Sequence, residues 1–236
     1  MTAADSDVTL DGRPDPEGAP LAVAIERGTA TVGTTGAYAF SSLKVGNGAE
    51  VTLQGSPFAV AELNVGQKGT GTLVIEDGTT VTGLVKVAGT DNSIGMLVQN
   101  GGDVFTREVG NTLVGGQSQG YYELNGGRLV NYDGGYSAYV GYRGTTVFAQ
   151  YGGEILITNG PFQVRARDGG YAVFYQKAGL LWQTTSGADL YASSGGDNGS
   201  ATWIVDGPDA ISRVWISGGG RNFVLGGSHT STTDRN

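Results

Sequence analysis

The side chains best equipped for chemistry gather in one part of the chain: Tyr142, Arg143, Arg165, Arg167, Asp168 and Tyr171. Guanidinium groups fork onto carboxylates, and phenol rings offer flat apolar faces with a polar tip. Together they would suit an acidic glycan. Arg143 precedes Arg165 and Arg167 by about one period of the repeat described below, so two successive turns of a repeating fold would present them side by side. With Tyr142 and Tyr171 they read as a ligand-binding patch. As a catalytic set, Arg143, Arg165, Arg167 and Asp168 would need a groove with three or more carboxylates beside them. The sequence aligns aspartate on no three adjacent repeats, and Asp77 and Asp103 fall on the exposed side of turns. No residue is therefore assigned to catalysis.

Other motifs carry less. "GQSQG" (Gly116 to Gly120) has the nucleophile-elbow form around Ser118. That motif needs a strand before it, a helix after it and a histidine base. The following "YYEL" reads as strand, and the single histidine, His229, sits in a polar tail. One histidine and no cysteine leave no zinc site and no serine triad. "GGDNG" (Gly195 to Gly199) has a fragment of a calcium-binding repeat, but it stands alone and reads as a turn. No metal and no cofactor is expected. Asn198 opens a glycosylation sequon, to which no role is assigned.

Composition narrows the class. Among 236 residues there are 43 glycines but only 6 prolines, with 39% hydrophobic residues. This is neither collagen nor a disordered linker. The net charge is −8, which opposes phosphate backbones and anionic membranes. Nucleic acid is excluded as a partner. No apolar run is long enough for a membrane helix. The first twenty residues are acidic and polar, unlike a signal peptide. The chain is either cytoplasmic or has lost its export signal.

What must position these residues is a repeat. "MLVQNGGDVF", "YYELNGGRLV", "VFAQYGGEIL" and "VFYQKAGLLW" begin at Met96, Tyr121, Val147 and Val173. Each has an apolar start, a small-glycine step and an apolar finish. A second phrase, apolar-x-apolar, ends at residues 45, 65, 87, 114, 140, 164, 192 and 216. Inside each unit apolar residues alternate with period two between glycine, asparagine and aspartate, the pattern of short strands. A strand-built unit of about 25 residues buries its inward side chains only by stacking on its neighbours. The expected fold is all-β: a single right-handed parallel β-helix of about eight or nine coils with almost no helix. Leu97, Tyr122, Phe148 and Phe174 should stack inside. Gln99, Gln150 and Gln176, interrupted by Leu124, should form a partial ladder of stacked amides. Val98, Glu123, Ala149 and Tyr175 should face out. Exposed tyrosines are expected among Tyr121, Tyr122, Tyr132, Tyr136, Tyr139 and Tyr142.

"VGQKGTGTLVIEDGTTVT" (Val65 to Thr82) resembles the autotransporter-associated β-strand repeat. It is also similar in outline to pectate-lyase-like β-helix proteins. The resemblance is sharp over residues 61–82 and fades by about residue 190. It implies a secreted or surface-exposed bacterial protein and an extracellular location. In β-helix polysaccharide lyases an arginine or lysine base works beside carboxylate-bound calcium. Calcium is therefore implied only if the chain cleaves acidic glycans.

The division expected is a polar N-terminal segment or cap over 1–20, a β-helix over 21–226 and a polar tail over 227–236. The function expected is non-catalytic: a structural or adhesive module such as a stiff spacer. Its partners would be extracellular polysaccharide, other copies of itself or flanking domains. The alternative is a lyase or glycoside hydrolase around Tyr142 to Asp168. The outward letters Glu123, Arg128, Tyr151, Glu154, Tyr175 and Lys177 are where recognition would be written.

Overall fold

The computed structural model of the chain describes residues 2–3, 8–10, 20–33, 37–90, 92–110, 118–132, 138–141, 143–158, 160, 162–166, 169–184, 190–194, 199–214 and 223–228. Among these residues there is no helix, and hence none long and apolar enough to cross a membrane. The strands are β1 Thr2–Ala3, β2 Val8–Leu10, β3 Leu21–Ile25, β4 Thr29–Gly33, β5 Tyr38–Val45, β6 Ala49–Gln54 and β7 Pro57–Val65. Next come β8 Thr70–Ile75, β9 Thr80–Val87, β10 Ile94–Gln99, β11 Asp103–Gly110, β12 Gln119–Leu124, β13 Arg128–Asn131 and β14 Ala138–Val140. The last are β15 Thr145–Gln150, β16 Glu154–Ile157, β17 Phe162–Ala166, β18 Tyr171–Gln183, β19 Leu190–Ser194, β20 Ser200–Val214 and β21 Phe223–Ser228.

Every pairing between them is parallel, and each joins a strand to one about one repeat further on. The chain is a parallel β-solenoid of about five turns. It has three walls. The first runs through β2, β4, β6, β8, β10, β12, β15 and the first halves of β18 and β20. The second runs through the first parts of β5, β7 and β9, then β11, β13, β16 and the second halves of β18 and β20. The third takes β1, β3 and the ends of β5, β7, β9 and β11, then a separate sheet of β14, β17, β19 and β21. Register shifts at Val60/Glu62 and Thr106/Val109 mark where one strand bends from the second wall into the third, as bulges do.

Strand alternation sets the core. Leu73, Leu97, Tyr122, Phe148 and Phe174 pair in register and are all buried. Their rings are in contact: Tyr122 meets Phe148 edge-on at 4.5 Å, and Phe148 lies tilted 5.6 Å from Phe174. Each such side chain contributes about 1.5–3 kcal/mol by leaving water. This inward column matches the one expected from the sequence.

The glutamines are in the expected column, fully buried, but they do not stack amide on amide. The Nε2 of Gln99 donates to Gly102 O and Arg128 O, both at 3.1 Å. That of Gln150 donates to Gly153 O and Leu180 O, and that of Gln176 to Gly179 O and Ile211 O. Each glutamine clips its own corner to the next coil. The Gly102 and Gly153 carbonyls already accept a backbone N–H from the next coil, and the amide donates to a second lone pair, as a buried amide N–H must find an acceptor. A leucine in the intervening coil breaks any continuous amide stack.

The same corner explains the uneven glycine step. Gly102, Gly127, Gly153 and Gly179 have positive φ, and the residue before each does not. At Gly127 (φ 73°) a Cβ would also run into the carbonyl oxygen of Gly102 on the previous coil. The second position therefore demands glycine, while the first admits Ala178.

Two apolar-x-apolar triplets fall elsewhere than expected. Val85 and Lys86 pair with Val109 and Gly110, not with a triplet ending at 114; residues 111–117 lie outside the described part. Ala192 pairs with Leu225, whereas Val214 pairs with Gln183 on the second wall. Coil lengths vary, from Val85 to Val109 on one turn and from Ala192 to Leu225 on another, so counting residues drifts out of phase. The strand ladder also reaches into residues 1–20, since β1 pairs with β3 and β2 with β4.

Candidate functional site

The richest exposed chemistry lies where the first wall turns into the second. On β12, alternation puts Tyr122 and Leu124 inside and leaves Tyr121 and Glu123 half-exposed outside. The corner that follows starts with Asn125, above Asn100 of the coil before and below Tyr151 of the coil after. The Nδ2 of Asn125 donates to Glu123 Oε1 at 2.8 Å and to Asn100 Oδ1 at 3.0 Å, and the Nδ2 of Asn100 donates to Glu76 Oε1 at 3.1 Å. The Tyr121 hydroxyl donates to Glu123 Oε2 at 2.7 Å. One coil further, the rings of Tyr151 and Tyr175 meet at 5.9 Å, and the Tyr175 hydroxyl donates to Asp206 Oδ2 at 3.1 Å. Partial burial, with the Glu123 carboxylate beside it, raises the Tyr121 phenol above its usual range. The Tyr175 phenol is raised too, by desolvation and by Asp206. Both stay protonated donors near neutral pH.

Beyond the corner, the second wall carries a charged groove of about 510 Å³ lined by Asp77, Asp103, Arg128 and Glu154 with the glycines of three turns. Asp103, Arg128 and Glu154 share one outward column. Arg128 forks onto Asp103 through two contacts of 2.8 and 2.6 Å. That bond holds the Asp103 carboxyl below the usual carboxylate range and raises Arg128. An acid kept ionised and engaged in this way is poorly suited to donate a proton to a leaving group. Among the described residues, no group of three or more His, Asp or Glu side chains is placed to hold a metal ion.

Arg143 and Arg165 lie at the other end of the first wall, where the third wall turns into it. Both are half-buried and engaged in interactions with the rest of the protein. Arg165 sits on β17 next to the Gly141 turn that precedes Arg143. Tyr171 opens β18, pairs with Thr145 and is 60% exposed. The fold thus brings Arg143, Arg165 and Tyr171 to one corner. Tyr142, Arg167 and Asp168 lie outside the described residues, as do His229 and residues 195–198. The three carboxylates of the groove stand by Arg128, a full wall away from Arg143 and Arg165. Ser118 is buried, and β12 follows it directly, so its surroundings are not those of a nucleophile elbow.

Of the expected outward column, Val98, Glu123 and Tyr175 are half-exposed but Ala149 is covered. Its methyl group is too short to rise above the larger neighbours. The tyrosine strip is also redrawn. Tyr122 is core, Tyr132 is exposed, and the side chains of Tyr136, Tyr139 and Tyr142 lie outside the described residues. Tyr121 is joined instead by Tyr151 and Tyr175. Their shared flank was obscured because Tyr151 belongs to a corner, where strand alternation does not apply. Compared with protein-family models, with curated proteins and with solved structures, the chain matches none.

Proposed function

We propose that the chain is a non-catalytic structural or adhesive module, a stiff rod whose outer wall contacts a ligand. The observation that carries this reading is the outer surface of the first wall. Ile94, Met96, Tyr171 and Ile204 are exposed and Tyr121 and Tyr175 half-exposed on this outward face, with Gln119, Glu123 and Thr145 between them. Monomeric proteins seldom gather so many large apolar side chains on one outward face unless it meets a partner. The ladder from β2 to β20 supports eight or nine coils, and the general handedness of parallel crossovers supports a right-handed helix. The resemblance at Val65 to Thr82 favours a secreted or surface-exposed setting. The test is a glycan array run beside a cleavage assay on acidic and neutral polysaccharides. Binding with no new reducing ends and no unsaturated product is expected. Turnover would overturn the reading in favour of a polysaccharide lyase or hydrolase.

A further inference from the structure

We propose that Tyr121, Tyr151 and Tyr175 form a rail that binds a neutral glycan chain lying parallel to the solenoid axis. This rests on the adhesive reading above and names its ligand. The three tyrosines belong to three successive coils. Coils repeat at about 4.8 Å, the strand spacing, close to the rise of one sugar unit in an extended polysaccharide. The rings of Tyr151 and Tyr175 meet at 5.9 Å and would take two successive sugars, while Tyr121, in register with Val147, flanks the chain from further along its strand.

The groups around the rings match hydroxyl chemistry. The Tyr121 and Tyr175 hydroxyls spend their protons on Glu123 and Asp206, so each keeps an oxygen lone pair to accept from a sugar hydroxyl. Asn100, Asn125 and Glu123 form a hydrogen-bonded chain beside the rings that offers carboxylate and amide acceptors along the same direction. Apolar ring faces with polar groups at their rims are what a sugar needs, since its C–H face is apolar and its edge is polar. Tyr151 is 42% exposed, so its ring is accessible.

Charge decides the ligand class. Glu76, Glu123 and Asp206 line this flank and outnumber Lys177, the cation next to Tyr151 in the corner column, and the chain as a whole carries −8. A uronate or sulfated chain would be repelled. Pairing with a second copy by a two-fold axis through this flank would set the acidic edge against itself. A neutral polysaccharide meets neither obstacle.

The experiment is affinity electrophoresis of the full chain in native gels containing laminarin, galactomannan, hydroxyethylcellulose, dextran or polygalacturonate. At least one neutral polymer should retard the protein, and polygalacturonate should not. Tyr151→Ala combined with Tyr175→Ala should weaken retardation at least about tenfold, with an unchanged unfolding midpoint. Tyr151→Trp should retain binding, as should Tyr132→Ala, which lies elsewhere. Retardation by polygalacturonate alone, by no polymer, or undiminished in the double variant would overturn the proposal. So would sedimentation showing that these tyrosines hold a dimer while no gel retards the protein. Release of reducing ends with ring-dependent binding intact would instead remove the non-catalytic reading and leave the rail standing.

Discussion

At the scale of single residues, the buried hydroxyls and amides in the core can be separated by experiment. The Tyr122 hydroxyl donates to Gln99 Oε1 at 2.6 Å in a fully buried setting. Tyr122→Phe leaves that oxygen without its donor and should cost about 1–3 kcal/mol. The Tyr38 hydroxyl oxygen is buried with no hydrogen-bond partner. Tyr38→Phe should therefore be neutral or stabilising by up to about 1 kcal/mol. Gln150 Oε1 is also buried without a partner, and the residue placed as Tyr122 is to Gln99 is Phe174. Phe174→Tyr should stabilise the wild type but destabilise a Gln150→Leu background. Urea unfolding of these variants, arranged as a double-mutant cycle, reads all three. A Phe174→Tyr effect independent of Gln150 would show that the hydroxyl does not reach the amide.

At the scale of the element, the corner between the first and second walls is a unit made of one glutamine clip and one positive-φ glycine. Its two glycine positions are not equivalent. Gly127→Ala places a Cβ both in a left-handed conformation and against the previous coil. It should cost at least about 2 kcal/mol. Gly126→Ala also approaches the previous coil, at Asn100 O, but in an ordinary conformation, and Ala178 occupies the matching place. It should cost clearly less. Thermal unfolding of the pair checks the order, and equal losses would show that crowding outweighs φ. The clips were half legible in the sequence. Their column followed from spacing, but their partners did not, because one carbonyl each glutamine meets belongs to the next coil, as far as Ile211 from Gln176, where the Ser212 hydroxyl also donates to the Gln176 Oε1.

At the scale of the whole molecule, stability is a sum of coil-to-coil contacts, and some of those contacts are ionic. Lys86 Nζ lies 2.7 Å from Glu62 Oε1 across neighbouring coils, just as Arg128 joins Asp103. Hydrogen bonds from Lys86 and Asn64 lower the Glu62 carboxyl below its usual 4.5, and Arg128 lowers Asp103 below 3.8. Both folded values lie beneath the unfolded ones. Their contribution is complete above about pH 4.5 and is lost as pH falls through the folded values. Because both pairs are partly exposed, each should be worth only about 0.5–1 kcal/mol. Glu62→Gln and Asp103→Asn should lower stability at pH 7 and flatten its decline between pH 4.5 and pH 3 in urea titrations. A decline as steep as the wild type's would place its cause elsewhere. Stacking also explains the far edge. Val205 continues the buried column of Gln176 but is 54% exposed, because among the described residues β20 pairs with β18 alone.

The repeat by itself determined the fold class, the inward column from Leu73 to Phe174 and the need for corner glycines. The reason is that period-two alternation and coil length are local properties, written within about 25 residues of chain. The meeting of side chains from different coils was left to the tertiary structure. Arg128 on Asp103, the glutamines on carbonyls of the next corner, and Tyr151 beside Tyr175 depend on how each corner bends and where each bulge adds a residue. Coil lengths vary by more than the bulges alone, so Ala192 meets Leu225 and Val214 falls on the second wall, off the one its triplet pointed to. Of the expected patch, Arg143, Arg165 and Tyr171 share one corner, and Tyr142, Arg167 and Asp168 lie outside the described residues. Tyr151 joined Tyr175 only because a corner residue stands outside the alternation that governs strands.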